Sequence, residues 1–180
     1  LLAAPDPAPA VAAMAQAGIL ARVLPGADAT ALAPLVHLEN GLPPRWQRRL
    51  AVIGGAGAGQ ALRFSRAEAA CHDALREAIG SMDSPAALGW RLGAETGADA
   101  VLARAAVLQS PPPPGWRAEL ARGAAATFPV TASDLMPRLS GPALGAALKT
   151  LESLWLQSDL RLDRDRLLAA NGRDNPAPPR

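Results

Sequence analysis

The chain has 180 residues, 18 lysines plus arginines against 16 acidic residues, and a formal net charge of +2. It carries 42 Ala, 27 Leu and 17 Arg but only seven Val, three Ile, two Phe and no Tyr. Strand-filling residues are scarce and good helix formers abundant, so the composition predicts an all-α fold: an array of short antiparallel helices. An apolar content of 49% excludes a generally disordered chain, and so small a charge excess excludes a polycation. The single Cys71 excludes an internal disulfide and fits a reducing, cytoplasmic setting.

The uncharged stretch between Asp6 and Arg22 is interrupted by Pro7 and Pro9 and is too short for a membrane span. No basic segment precedes it, which argues against a signal peptide, and the first residue is Leu1. The expectation is a piece of a longer protein.

In chain order, Asp6-Pro7 starts a first helix carrying Val11 and Met14 on one face, with an exit at Gly18. A second runs from about Asp28 through Leu32, Leu35, Val36 and Leu38 to Asn40-Gly41. A third opens at Pro43-Pro44 and spaces Trp46, Leu50 and Ile53 by four and three; the second and third should form an antiparallel hairpin. Gly54 to Gly59 reads as a loop. Ser65-Arg66-Ala67-Glu68 fits a capping box, followed by His72, Leu75 and Ile79 and an end at Gly80. Ser84-Pro85 starts the next helix with Leu88 and Leu92 inward; after Gly97 the pattern resumes with Val101, Ala105 and Leu108.

Pro111 to Pro114 cannot continue a helix and is taken as the boundary between a helical body, residues 1–110, and a smaller helical tail, residues 111–170. In the tail, Trp116, Leu120 and Ala124 mark one helix and Thr131 to Asp134 start another. Gly141-Pro142 opens a long helix with Leu144, Leu148, Leu151 and Trp155 on one face, and Asp163 caps a last one carrying Leu167 and Leu168. Residues 171–180 are expected to be disordered.

Candidate chemistry is sparse. The glycine loop lacks the Lys-Ser or Lys-Thr of a phosphate-binding loop and follows a helix-periodic segment, so it reads as a turn. Asp163 and Asp165 have the spacing of a two-metal acid pair but sit among Arg161, Arg164 and Arg166 near a proline-rich end, where capping and surface pairing account for them. His37, Cys71 and His72 lack the number and spacing of a zinc site. Adjacent Cys71 and His72 would diverge by about 100° on a helix, which disfavours a nucleophile pair. No catalytic residue and no metal ligand is assigned.

The best signal is charge placement. Between Glu39 and Glu68 lie Arg45, Arg48, Arg49, Arg63 and Arg66 with no acid among them. Arg45, Arg48 and Arg49 fall opposite the Trp46, Leu50, Ile53 stripe, which predicts a solvated face able to track a nucleic-acid backbone, since guanidinium forks match phosphate oxygens. Lys149 and the helix start at Gly141-Pro142 are weaker candidates.

Phe128-Pro129-Val130-Thr131-Ala132-Ser133-Asp134-Leu135-Met136, then Gly141-Pro142-Ala143-Leu144-Gly145 with Leu148, Leu151, Glu152 and Trp155, resembles the carboxy-terminal helical region of bacterial tRNA nucleotidyltransferases, the CCA-adding enzyme and poly(A) polymerase family. The likeness extends back through Ala17 to Gly26 and Ser65 to Glu68; Pro137 departs from the glycine toward which members more often continue. The resemblance implies a body and tail that hold tRNA, while an absent head and neck bind Mg²⁺ and CTP or ATP and transfer CMP and AMP to the tRNA 3′ end. On that reading tRNA is the partner, this chain alone is not catalytic, and it binds no cofactor. The rival reading is a helical interaction or scaffold domain without an RNA role.

Overall fold

A computed structural model describes residues 1–136 and 138–174; Pro137 and the expected disorder over 175–180 lie outside the described residues. The described residues form eleven helices and no strand. The first five are α1 (Ala8–Gln16), α2 (Ile19–Val23), α3 (Leu32–Glu39), α4 (Trp46–Ile53) and α5 (Ala58–Ala61). Then come α6 (Arg66–Gly80), α7 (Pro85–Val107), α8 (Trp116–Ala125), α9 (Ala132–Leu135), α10 (Gly141–Gln157) and α11 (Arg164–Asp174). The last continues through residues 171–174, four beyond the expected end.

Several starts are made by the side chains that mark them in the sequence. Asp6 Oδ1 accepts from the Ala8 N–H at 3.0 Å. Ser65 and Glu68 form the reciprocal capping box of α6. The Ser84 hydroxyl accepts from the Ala87 N–H, and Asp163 accepts from the Arg166 N–H at 2.9 Å. These side chains occupy the amide donors that a helix start leaves without intrahelical partners.

Two short elements escaped the periodicity. Helix α2 has five residues and α5, which starts within the expected glycine loop and runs two residues past it, has four. Neither is long enough to show a repeat. They follow left-handed Gly18 and Gly57 and bury Leu20 and Ala58.

Three apolar clusters fill the molecule. The first joins Val11, Leu20, Leu24, Leu32, Leu50, Ile53 and Ala58, drawn largely from α1 to α5. The second joins Leu35, Ala51, Val52, Leu75, Leu88, Leu102, Trp116 and Leu120, from α3, α4, α6, α7 and α8. The third joins Ala87 to Val130, Leu135, Leu151, Trp155, Leu156 and Leu167. Trp155 is the aromatic centre of this last cluster, with Trp90 and Phe128 each 5.5 Å away between ring centroids.

The prolines are therefore not where the cores separate. Helix α8, expected to open the tail, packs on α7 as the most extensive helix pair of the structure and places Trp116 and Leu120 in the middle cluster. Glycine makes that approach possible. A Cβ on Gly123 would lie 1.8 Å from the Ala86 carbonyl oxygen, and one on Gly89 would lie 2.1 Å from that of Leu120.

The break within α7 falls at Gly93, at φ 75° and ψ 176°, and Gly97 lies inside the helix. Gly97 is buried with Leu120 against it, so its lack of a side chain serves packing. Downstream, Val101 and Ala105 are buried as expected, but Leu108 is exposed because α7 ends at Val107.

Gly123→Ala should destabilise the fold by about 1–3 kcal/mol or more, since the new methyl meets backbone that cannot give way locally. Chemical denaturation followed by circular dichroism measures this, and Gly145→Ala, on α10 with nothing near its Cβ position, is the control expected to stay neutral or gain stability.

Candidate functional site

The arginines expected on a solvated face of α4 are turned into the protein. Arg48 and Arg49 are 2% and 1% exposed. Helix α4 packs against α3, α6 and α7 together, so the side opposite the Leu50, Ile53 stripe is itself an interior surface. That overturns the expected solvated face: Arg48 and Arg49 cannot reach a phosphate backbone in this fold.

Their partners are two buried carboxylates. Glu39, at the end of α3, accepts from Arg48 Nε at 2.8 Å and Nη2 at 2.7 Å, and from Arg49 Nη2 at 2.6 Å. Asp99, in α7, accepts from Arg48 Nη1 at 2.8 Å and from Arg45 Nε at 2.7 Å. Arg45, which retains 23% side-chain exposure, also pairs with Glu95 on the surface of α7. Burial pushes the Asp99 carboxyl above its ordinary range, while hydrogen bonds and charge from Arg45 and Arg48 pull against that shift.

A carboxylate buried without a partner is strongly unfavourable, and so is a lone guanidinium. The arrangement satisfies both by sharing: Glu39 serves Arg48 and Arg49, and Asp99 serves Arg45 and Arg48. Neither acid is marked as a site residue by local sequence: Glu39 only bounds the acid-free interval, and Asp99 lies 51 residues from Arg48.

Other arginines are also used internally. Arg76 donates to the Ala51 carbonyl at 2.9 Å near the end of α4, and Arg104 donates to the carbonyls of Ala78 and Asp83 around the end of α6. Arg122 joins Glu119 to the Asp159 carboxylate at 3.0 Å. Helix ends carry carbonyls without intrahelical donors, and cations there are favourable on both hydrogen-bonding and dipole grounds.

The remaining candidates are on the surface. Arg63, Arg66 and Lys149 are exposed, and among the described residues none has a carboxylate partner. Arg66 opens α6, and Arg63 precedes the Ser65 cap at φ 55°. Lys149 lies on α10, away from that start in sequence, and Gly141 opens the same helix as expected.

Among the described residues the titratable groups form no acid–base or metal constellation. The Cys71 thiol is pushed up by burial, so thiolate formation is disfavoured. The His72 imidazole is pushed down by burial, with an opposing pull from Asp73, and its Nδ1 is buried without a hydrogen-bond partner. It packs edge-on to Phe64, while His37 is exposed. Asp163 is occupied in capping α11, and Asp165 pairs with Arg164 while 91% exposed. These two residues do not fit a Mg²⁺ site, and no group of three or more His, Cys, Asp or Glu among the described residues could hold a metal ion.

Among the described residues, no helix is long and apolar enough to cross a membrane. No family model matches the chain, and no curated protein or solved structure matches it.

Replacing Asp99 with Asn or Glu39 with Gln should cost about 3–5 kcal/mol, because each leaves two arginines sharing one fewer buried charge. Urea denaturation reads this loss; a change under 1 kcal/mol in both would show the network to be solvated.

A second ion pair gives a pH dependence. Asp134 accepts from Arg164 Nη2 at 2.6 Å and from the Thr131 N–H at 2.8 Å, which together hold its carboxyl well below the usual carboxylate range. Its folded-state pKa lies below the unfolded value of about 3.9, so its contribution is present above that value and lost as pH falls toward the folded one. Carboxyl-detected NMR should show Asp134 still ionised at pH 3, and Arg164→Gln should raise its midpoint toward the ordinary range.

Proposed function

We propose that the chain is the tRNA-holding helical region of a tRNA nucleotidyltransferase-like protein. The observation that carries this reading is the ordered run of residues from Phe128 to Trp155, with its counterparts at Ala17 to Gly26 and Ser65 to Glu68, in a chain whose described residues are all-helical in class. Arg63, Arg66 and Lys149 support it as exposed cations without carboxylate partners among the described residues. Such groups can hold the sugar–phosphate backbone of a folded RNA, with shape rather than base sequence setting the fit.

Nucleotide transfer belongs, in that family, to a head and neck whose Mg²⁺ and CTP or ATP sites have no counterpart assigned in these residues. The chain is therefore read as a holder of tRNA, with the chemistry performed by the parent protein.

The internal engagement of Arg45, Arg48 and Arg49 favours a second reading, a helical interaction domain without RNA. Filter binding of tRNA across a salt series separates them. The first reading predicts affinity falling steeply with salt, and Arg63→Glu with Arg66→Glu should weaken binding and lower the slope of log K against log salt by about 2. Affinity absent or indifferent to salt would favour the interaction domain. Arg48→Glu is unsuitable as a probe of contact, because the buried reversal would disrupt folding first.

A further inference from the structure

We propose that Arg49 is a latch: its guanidinium holds the segment from Leu1 to Pro7 across the helical body as a strap, and links the strap to the α4–α7 junction. Arg49 Nη1 donates to the carbonyls of Leu2, at 2.7 Å, and of Ala4. Nη2 donates to the carbonyl of Pro5 at 3.0 Å and to Glu39 Oε2 at 2.6 Å, while Nε faces both oxygens of Glu39. All five N–H donors of the side chain are thereby engaged, three of them by main chain of residues 2–5.

Apolar packing alone does not account for this arrangement. Pro7 is fully buried and Leu2 packs on the α1–α5 cluster, but the strap's carbonyls are polar groups facing an interior that contains a permanent cation. Withdrawing the strap would take the carbonyl partners from three Arg49 donors, two on Nη1 and one on Nη2, so the closed position is favoured from both sides of the contact. Lysine cannot substitute, since a single ammonium lacks the planar fork that reaches several carbonyls and Glu39 together.

Glu39 makes the latch more than a local clasp. The carboxylate that orients Arg49 also receives Arg48, whose other terminal nitrogen binds Asp99 on α7. Release of the strap frees Arg49 to move, alters the load on Glu39 and loosens Arg48 from α7. The strap and the α4–α7 contact thus form one conformational unit, independently of whether the protein binds RNA.

The test is spin labelling of the full chain at Ala3→Cys, an exposed strap position, in a Cys71→Ser background, with a control label at Ala146→Cys on α10. The parent strap label should give a slow, immobilised spectrum. Arg49→Lys should move at least half of its signal into a fast nanosecond component, with the control spectrum and helical circular dichroism unchanged.

Glu39→Gln, which removes the shared charge at constant shape, should shift the label in the same direction and serves if Arg49→Lys does not fold. A parent strap label already mobile, or a folded variant with an immobilised one, overturns the latch. A readout without folded-state variants completes the test: nitrogen-15 NMR should show slowly rotating Nη protons of Arg49 with through-bond coupling to the carbonyl carbons of Leu2, Ala4 and Pro5. Absence of those couplings also overturns it.

Discussion

Glu39 and Asp99 lie buried among three arginines, and neither sign of charge can remain inside the protein without the other. The carboxylates come from α3 and α7 and the guanidinium groups from α4 and the residue preceding it, so these helices must meet in one register for any of the charges to be satisfied. Apolar contacts between alanine- and leucine-rich faces tolerate sliding, whereas a forked hydrogen bond at 2.6–2.8 Å does not. The network therefore specifies how the helices cross more than it adds to the depth of the energy well; desolvation offsets much of the Coulombic attraction.

The rest of the molecule extends this use of arginine. Many of its helices are short, and short helices have a high ratio of open ends to satisfied interior bonds. Side-chain caps close several starts, and Arg76, Arg104 and Arg122 reach carbonyls at or beyond helix ends. The chain has seventeen arginines and one lysine, and among the described residues a large share of that charge is paired with carboxylates within the fold. The exposed cations outside those pairs are dispersed: Arg63 and Arg66 lie around one helix start, Lys149 on another helix, and Arg22 and Arg117 on α2 and α8. In the proposed reading, such spacing suits a partner with a long phosphate-lined surface better than a compact anion.

Much of the fold was legible in order along the chain. Ser65 with Glu68, Ser84 with Pro85, and Asp163 each act within a few residues of themselves, and capping depends on local backbone geometry alone. The all-α class follows from composition, and the stripe through Leu144, Leu148, Leu151 and Trp155 does pack toward one cluster. The short α2 and α5 were not legible, because their helical geometry is held by left-handed glycines and by burial of one residue each. The proline boundary misled for a related reason: proline interrupts a helix locally but says nothing about which core the next helix joins.

By itself, the sequence determined the helical class, most helix starts and the presence of three closely spaced arginines with no acid between them. Only the tertiary structure decided which way those arginines point. Periodicity identifies the apolar stripe of a helix and assigns the opposite side to water, an inference that holds when a helix has one buried side. Helix α4 is enclosed by α3, α6 and α7, and the partners that make its polar side an interior one are Glu39, just outside the interval, and Asp99, brought from far along the chain. Charge compensation acts through space, so a run of sequence without local acids does not define a surface without them.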